Sequence, residues 1–385
     1  MRLLFTSMPI HSHISPTLPL ATAAREAGHE VLFVTGSDAV RYPQAAGLPT
    51  APAGLTLPES AGRYRRTYSA EELAALSPDE RIKHLTVHWL MEIAAVEMVD
   101  EVLSLVREWE PDLIVTTLAE GAGVVAAALS EIPFVIHAFG PPKAAAFAEA
   151  KWKASEELVK QRGGTGLLSR DAVPYLDIWP TSMRPSDLEW AYPQMWPLRP
   201  EGILPVPGAE RPSLLDALPF GRTVYVTLGT SWNSTPGAME TMVEAVSDQG
   251  VNVVVTIGRD ADRNRLGVVP AHVRIEEFVP QEQLLPYVDA VVCHGGAGTV
   301  LGAVAHGVPL VMSPLASDQH EIAAYAERAG VGILTSSLTV GSIQDGLRAV
   351  LGEDSFRESA ASIAEQISAM PTPVDMVTHL EQYGR

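Results

Sequence analysis

The chain of 385 residues has a single cysteine, Cys293, and few basic residues. One cysteine excludes an internal disulfide and favours a reducing compartment. Cys293 stands in an apolar run, so we expect it to be buried and unreactive. Lysine and arginine total 27 against 46 aspartates and glutamates, which gives a formal net charge of -19. This excess of negative charge argues against broad binding to nucleic acid or to an anionic membrane.

Long hydrophobic runs are also missing from the sequence. No window approaches the roughly 20 apolar residues of a membrane span. The first apolar run, in MRLLFTSMP, is too short for the apolar region of a signal peptide. Hydrophobic residues nevertheless make up 46% of the chain, which is enough to fill a core. We therefore expect a globular protein of the cytoplasm with no membrane partner.

Several common ligand signatures are absent. The dinucleotide fingerprint G-x-G-x-x-G fails, because in the frame that starts at Gly296 the third glycine is replaced by Leu301. No glycine is followed by Lys-Ser or Lys-Thr, as it would be in a Walker phosphate loop. No cluster of cysteines and histidines has the spacing of a metal site, so no metal is expected. A nicotinamide oxidoreductase is accordingly disfavoured.

Short runs of β-branched and aromatic residues alternate with helical stretches in both halves of the chain. The runs lie at 2–7, 30–35, 112–117, 133–138, 223–229, 252–258, 273–278, 289–295 and 309–314. This alternation predicts parallel sheets covered by helices on both faces. We predict two facing, Rossmann-like, doubly wound α/β domains with a ligand cleft between them. They span 1–205 and 206–370, and a helix within 371–385 is not assigned to either.

Two segments, 51–80 and 139–200, are predicted to be irregular because they are rich in proline and aromatic residues. We expect their loops to line something apolar. The aromatic residues concerned are Trp152, Tyr175, Trp179, Trp190, Tyr192 and Trp196.

The stretch VDAVVCHGGAGTVLGAVAHGVP (288–309) predicts a strand, a glycine turn and a helix. The start of a helix exposes unpaired backbone amides at the positive end of its dipole, which suits an anion. Gly295, Gly296 and Gly298 would let a phosphate approach the backbone, Thr299 adds a hydroxyl, and His294 adds a donor at the entrance. An ordinary tight turn with a core histidine is the alternative reading of this stretch alone.

The neighbouring strand ends favour the anion site. FVPQ (278–281) offers an aromatic ring and a glutamine, which suit a nucleobase. SPLASDQHEIA (313–323) offers Asp318 and Gln319 side by side, which can bind vicinal hydroxyls of a sugar. Parallel sheets bind ligands at the carboxyl ends of their strands, so base, phosphate and sugar contacts would share one edge.

The order FVPQ, HGGAGT, GVP and DQ resembles the nucleotide-sugar signature of the family 1 glycosyltransferases of GT-B fold, particularly the bacterial enzymes that decorate natural products. HSHISPTLPLATAAREAGHEV (11–31) resembles the opening helix of that family, so the likeness spans nearly the whole chain. The resemblance implies that Phe278 stacks on the base and that Asp318 and Gln319 bind the sugar. The residues it implies for donor binding are Thr230, Ser231, Phe278, Val279, Gln281, His294, Gly296, Gly298, Thr299, Asp318 and Gln319.

The donor nucleotide is suggested by one departure from the family. Plant relatives clamp the ribose hydroxyls with a glutamate three residues after the position of Thr299, and Gly302 stands there in this chain. A deoxyribose donor would lose nothing by this change, so the resemblance favours a dTDP-sugar over a UDP-sugar. Gln281 or a backbone group is an alternative ribose contact.

The turn after the first strand, SMPIHSHISP, has no glycine between Met8 and Pro16, so a nucleotide phosphate could not approach it closely. The family's general base is the histidine of H-x-x-P, here His13 with Pro16. Relatives orient that histidine with an aspartate near the position of Thr117, and Glu120 is the alternative orienter. The implied mechanism is direct displacement at the anomeric carbon with inversion. The role of His137, acceptor contact or strand-end packing, stays open.

The implied partners are a nucleotide-sugar and a small, hydrophobic natural-product aglycone, and the sugar is expected to be a deoxysugar. No cofactor beyond that co-substrate is expected, and a homodimer is left open. Two other functions remain alternatives. A lipid-linked sugar transferase shares the two-domain plan, although the acidic balance speaks against it. A nucleotide-sugar-binding auxiliary subunit without turnover would be compatible with threonine at position 117.

Overall fold

The computed structural model describes residues 1–143, 145–166, 170–186, 189–205, 208, 210–230, 232–233, 235–258 and 262–384, with side chains except at positions 78, 79, 82, 146 and 147. The chain forms two compact units. The first comprises Met1–Ile178, Ser186–Glu201 and Pro371–Arg385. The second comprises Trp179–Pro185 and Gly202–Met370.

The first unit is built on a sheet of seven parallel strands in the order β3-β2-β1-β4-β5-β6-β7. The strands are β1 (Arg2–Thr6), β2 (Glu30–Thr35), β3 (Thr50–Pro52), β4 (Leu113–Thr117), β5 (Phe134–His137), β6 (Tyr175–Asp177) and β7 (Met195–Pro197). The central strands read as continuous apolar runs because both of their faces are covered, and every residue of β4 is buried. The strand order reverses between β1 and β4, which makes their carboxyl ends the topological switch point of this sheet.

Nine α-helices and one π-helix among the described residues surround this sheet before residue 170. They are α1 (His11–Ile14), α2 (Leu18–Glu26), α3 (Arg41–Ala45), α4 (Leu57–Thr67), α5 (Ala70–Ala74), α6 (Pro78–His84), the π-helix (Leu85–Ala95), α7 (Val96–Trp109), α8 (Ala122–Ser130) and α9 (Ala145–Gln161). Thr56 caps α4 through a capping box with Glu59, which explains why a helix begins in a segment predicted to be irregular.

The π-helix lies between α6 and α7 and changes the helical geometry in the middle of the stretch 78–109. Its wider turns bring Met91 and Ala95 against the loop after β4. A Cβ atom placed on Gly121 would lie 2.5 Å from Met91 Sδ and 3.1 Å from the Ala95 Cβ. Glycine at position 121 is therefore what allows the π-helix and this loop to pack so closely, and π-helices are often found beside functional sites.

The segment 139–200 contains regular structure, contrary to the sequence-based expectation. It contributes α9 and the two outer strands β6 and β7. Tyr175 and Tyr192 stack with ring centroids 5.2 Å apart, and Trp152 meets Tyr192 edge to face at 6.2 Å. All three side chains are buried. For these three residues the expectation of loops that line something apolar is wrong, because their rings fill the core of the first unit.

The second unit is built on six parallel strands in the order β10-β9-β8-β11-β12-β13. They are β8 (Thr223–Thr227), β9 (Asn252–Thr256), β10 (Val273–Glu276), β11 (Ala290–Cys293), β12 (Leu310–Met312) and β13 (Gly332–Leu334). The covering helices are α10 (Ala238–Ser247), α11 (Gln281–Leu284), α12 (Ala297–Ala305), α13 (Gln319–Arg328), α14 (Val340–Gly352) and α15 (Asp354–Ser368). The order reverses between β8 and β11, which is the switch point of this sheet. The predicted pair of doubly wound parallel-sheet domains is confirmed.

The last helix, α16 (Pro373–Tyr383), belongs to the first unit, where it packs against α2. Thr372 caps it in a capping box with Asp375. The backbone amide of Arg199 donates to the carbonyl of Pro371 at 2.7 Å, and Trp196 meets Tyr383 edge to face. The chain therefore returns to its first unit at the end.

Six short 3-10 helices complete the described secondary structure. They are Ser15–Thr17, Arg170–Ala172, Thr181–Met183, Ser213–Leu215, Arg263–Leu266 and Leu285–Tyr287. Within the ranges that the structure describes, no helix combines the length and apolarity that crossing a membrane requires.

Candidate active site

The glycine turn after β11 has the geometry of an anion site. Gly295 has a φ of 81°, in the left-handed region that favours glycine, and a Cβ there would lie 3.1 Å from the carbonyl oxygen of Gln319. Gly296 follows as the N-cap of α12, in extended conformation. The first amides of a helix have no partner within it, so they are available to a ligand.

The start of α12 is open to an incoming group. A Cβ on Gly298 would meet nothing within 4 Å, and this glycine is exposed. Thr299 is largely buried one residue further on. A phosphate could therefore reach the amides of the first turn without meeting a side chain at position 298.

His294 lies between two glycines. A Cβ on Gly296 would lie 2.5 Å from its Nε2, and a Cβ on Gly229 would lie 3.0 Å from its Cε1. The imidazole therefore occupies the space that side chains at positions 229 and 296 would need. Since Gly229 follows β8 and Gly296 follows β11, the ring lies at the switch point of the second sheet.

The charge state of His294 follows from its burial. Burial lowers the pKa of His294 to about 4, and the Asp318 carboxylate acts in the opposite direction. The ring is thus neutral near pH 7. Its Nδ1 has no hydrogen-bond partner among the described residues, and Nε2 is the nitrogen beside the glycine turn. A neutral imidazole can donate one hydrogen bond from this position.

The loop after β8 is shaped by buried hydroxyls. Gly229 has a φ of 64°, and its amide donates to Thr227 Oγ1 at 3.1 Å. Thr227 Oγ1 in turn accepts from Thr256 Oγ1 at 3.0 Å. Thr230 is exposed at the tip of this loop, and Ser231 lies outside the described residues. Thr230 is therefore placed where a ligand at the glycine turn could be contacted from the β8 side.

Gln281 joins the FVPQ segment to α12. Its Nε2 donates to the carbonyl of Gly298 at 3.1 Å, and a Cβ on Gly302 would lie 2.6 Å from the same nitrogen. The Gln281 amide thus fills the space above Gly302. Phe278 is 52% exposed just before it, an unusual state for a phenylalanine, and Val279 is half-buried.

Asp318 and Gln319 differ in their environment. Asp318 is the N-cap residue of α13 and is half-buried. Gln319 is 2% exposed, and its Oε1 accepts from the amides of Leu315 and Ala316 at 2.8 and 3.0 Å. The Gln319 oxygen therefore holds its own loop, and only its amide nitrogen is left for a ligand.

In the first unit, His13 lies in α1, directly after the turn that follows β1. Its imidazole stacks on the ring of Phe139, with centroids 3.8 Å apart and planes inclined by 14°. Phe139 is also packed against a small apolar cluster separate from the main core. The cluster consists of Met8, Ile10, Leu90, Ala94, Ala119 and Phe139.

The two predicted orienters of His13 have other partners. The Glu120 carboxylate accepts hydrogen bonds from Thr6 Oγ1 at 2.6 Å, from Thr116 Oγ1 at 3.0 Å, and from the amides of Ala122 and Gly123. The two amides belong to the start of α8, so Glu120 completes that helix end. Thr117 is buried, and its hydroxyl lies 3.5 Å from Ser7 Oγ. The orienting roles of Glu120 and Thr117 stay predictions.

Lys151 is a buried cation that the sequence did not single out. Its Nζ donates to the carbonyls of Leu118 and Glu120, and it lies within electrostatic reach of the Glu120 carboxylate. Burial lowers the pKa of Lys151 to about 8 despite that carboxylate. No signal in the sequence separates this lysine from the exposed ones of the same helix. Its two hydrogen bonds to backbone carbonyls hold the loop between β4 and α8 in place.

Two further histidines have structural surroundings. His137 is fully buried at the end of β5, its Nδ1 donates to the carbonyl of Ala138 at 2.6 Å, and burial lowers its pKa to about 4. This favours strand-end packing over contact with an acceptor. His11 meets Tyr42 edge to face at 4.6 Å, and its pKa is lowered by burial and by Arg41.

Among the described residues, no group of three or more histidines, cysteines, aspartates and glutamates could hold a metal ion.

The chain is similar to known proteins over nearly its whole length. Family models for the N-terminal and C-terminal domains of the erythromycin biosynthesis protein CIII-like family match residues 22–193 and 240–383. The elloramycin glycosyltransferase ElmGT of Streptomyces olivaceus is 32% identical, over 99% of this chain and 97% of its own. The aclacinomycin-T 2-deoxy-L-fucose transferase of Streptomyces galilaeus is 30% identical, over 99% of this chain and 96% of its own.

A solved structure is similar over the same extent. The spinosyn rhamnosyltransferase SpnG superposes with a TM-score of 0.82 at 26% identity, covering 99% of this chain and 100% of SpnG. SpnG has also been solved with thymidine diphosphate and with the spinosyn aglycone.

The Glu120 carboxylate is expected to stabilise the first unit, because it accepts from four buried donors. Replacing Glu120 with glutamine puts an amide group against donors and leaves the buried Lys151 ammonium without its carboxylate. We expect Glu120→Gln to lower the free energy of unfolding by about 1–3 kcal/mol, the usual effect of leaving a buried donor without its acceptor. Urea denaturation measures this. The matched control is Glu108→Gln on the exposed face of α7. Unchanged stability with a large loss of turnover would instead identify Glu120 as the orienter of His13.

Proposed function

Because the chain belongs to the erythromycin biosynthesis protein CIII-like family of bacterial natural-product glycosyltransferases of GT-B fold, we propose that it transfers a deoxysugar from a dTDP-sugar to a hydrophobic aglycone with inversion. Transfer from a nucleotide-sugar is the activity of the family. The nucleotide, the stereochemical course and the acceptor class are the proposal. The observation that carries it is the open glycine turn at the start of α12, with the neutral His294 beside it.

The diphosphate of the donor binds at the glycine turn. The amides of the first turn of α12 and Nε2 of His294 donate to its oxygens, with Thr299 and Thr230 as hydroxyl donors. These contacts suit the protein's overall charge. A chain with a net charge of -19 attracts no anion at long range, so the diphosphate must be held by dipoles at close range.

The nucleoside is thymidine in this proposal. Gln281 Nε2 occupies the space above Gly302, so no carboxylate is available there to accept from a ribose 2'-hydroxyl. Deoxyribose needs no such acceptor. Phe278 is exposed beside Gln281 and would stack on the base. The complex of SpnG with thymidine diphosphate supports this choice. Asp318 and the amide nitrogen of Gln319 bind the transferred sugar.

The acceptor binds beside His13. The apolar cluster of Met8, Ile10, Leu90, Ala94, Ala119 and Phe139 adjoins the imidazole and suits a hydrophobic aglycone. The complex of SpnG with the spinosyn aglycone supports an acceptor of this kind. An imidazole has the near-neutral pKa that a general base needs at physiological pH.

In the proposed reaction, His13 removes the proton from the acceptor nucleophile as that atom attacks the anomeric carbon. The bond from this carbon to the diphosphate oxygen breaks at the same time, and the configuration inverts. The leaving nucleoside diphosphate takes up the bonding electrons. The amides of α12 stabilise the negative charge that develops on it.

His13→Ala tests the base assignment. We expect the mutation to lower kcat by about 10²–10⁴-fold, the usual contribution of a general base. Binding of dTDP should stay unchanged, because the diphosphate contacts are in the second unit. Transfer is followed by chromatography with an identified aglycone, and dTDP binding by calorimetry. His11→Ala is the matched control and should keep most of the activity. Full activity of His13→Ala would refute the assignment.

Calorimetry with dTDP and UDP tests the choice of nucleotide. We expect dTDP to bind about tenfold more tightly, because the 2'-hydroxyl of UDP would lack a carboxylate acceptor beside Gly302. Gly302→Glu should displace the Gln281 amide and narrow this preference, because a carboxylate can accept from ribose hydroxyls. Gly352→Glu, which adds the same charge at the end of α14, is the control. Tighter binding of UDP by the natural chain would contradict the proposal.

A further inference from the structure

The contact between His13 and Phe139 is a face-to-face stack at short range. The ring centroids are 3.8 Å apart and the planes are inclined by only 14°. Such an arrangement covers one face of the imidazole, and Nδ1 of the ring is buried as well. The rotation of a histidine ring about its Cβ–Cγ bond is otherwise broad. A flat neighbour at this distance therefore limits the plane of the imidazole.

The backbone that carries Phe139 is held on both sides. The amide of Ala138 donates to the carbonyl of Leu176 at 2.9 Å, which ties it to β6. The carbonyl of Ala138 accepts from Nδ1 of the buried His137 at 2.6 Å. Because a carbonyl only accepts, Nδ1 of His137 carries the hydrogen. His137 therefore holds the backbone of Ala138 in place, and this fixes the backbone position from which the Phe139 side chain extends.

The phenyl ring is also fixed from the other side. Phe139 packs against the cluster of Met8, Ala94 and Ala119, which joins the turn after β1, the π-helix and the loop after β4. Ile10, in the same cluster, accepts a backbone hydrogen bond from the amide of His13 at 2.9 Å. Both members of the stack are thus tied to one rigid set of residues.

We infer that Phe139 is a positioning residue for the reaction, and that its stack on His13 holds the imidazole in the plane from which it accepts the proton of the acceptor. The inference rests on the proposed role of His13 as the base. In physical terms, the flat face of the Phe139 ring fixes the orientation of the His13 imidazole. A misplacement of about 1 Å at a reacting group can lower a rate by roughly 10²-fold.

Phe139→Leu tests the inference, because leucine keeps the apolar contact and removes the flat ring. We expect kcat to fall by about tenfold while the KM for the aglycone and the affinity for dTDP change by less than about twofold. Phe139→Tyr should restore kcat to within about twofold of the natural chain, since tyrosine has the same ring. Phe134→Leu makes the same change in the core of β5, on a ring that stacks on Trp152, and should leave kcat unchanged.

The double variant separates positioning from a general structural effect. If Phe139 acts through His13, Phe139→Leu should cause no further loss of kcat in the His13→Ala background. Losses that add in the double variant would overturn the inference, as would a Phe139→Leu variant with normal kcat. If either of these results is found while His13→Ala still loses activity, His13 remains the proposed base and Phe139 has no positioning role. Full activity of His13→Ala would refute the base and the positioning role together.

Discussion

The unpaired backbone amides at the start of α12 are the feature on which the proposed donor site depends. An acidic protein can hold a diphosphate only where local dipoles outweigh its overall charge. That requirement explains the glycines. Gly295 adopts a left-handed backbone, and Gly229 and Gly296 leave room for the neutral imidazole of His294. A side chain at either of the last two positions would displace this imidazole.

The proposed acceptor site, in the first unit, is built differently. Its turn after β1 contains no glycine and is followed by His13. His13 stacks on Phe139, which packs in an apolar cluster that includes Leu90 and Ala94 of the π-helix. Two buried polar side chains near the end of β4 stabilise the surrounding backbone. Glu120 completes the start of α8, and Lys151 fixes the loop after β4. Each half thus places its candidate site residues at the switch point of its own sheet.

The parts of this arrangement that depend on local backbone geometry could be predicted from sequence. The alternation of strands and helices predicted both sheets, and the run of Gly295, Gly296 and Gly298 predicted the glycine turn at the start of α12. Side-chain partners could not be predicted, because they depend on which segments meet. The oxygen of Gln319 holds its own loop, and Tyr175 and Tyr192 fill the core. Phe139 lies two residues after β5, and its contact with His13 could not be predicted because only the fold brings the two rings together.

The most direct test of the account is a crystal structure of the full chain with dTDP. We expect the diphosphate to lie within hydrogen-bonding distance of the amides of Gly298 and Thr299 and of Nε2 of His294. We expect the thymine to stack on Phe278. A diphosphate bound at the turn between Met8 and Pro16, or away from α12, would contradict the central claim.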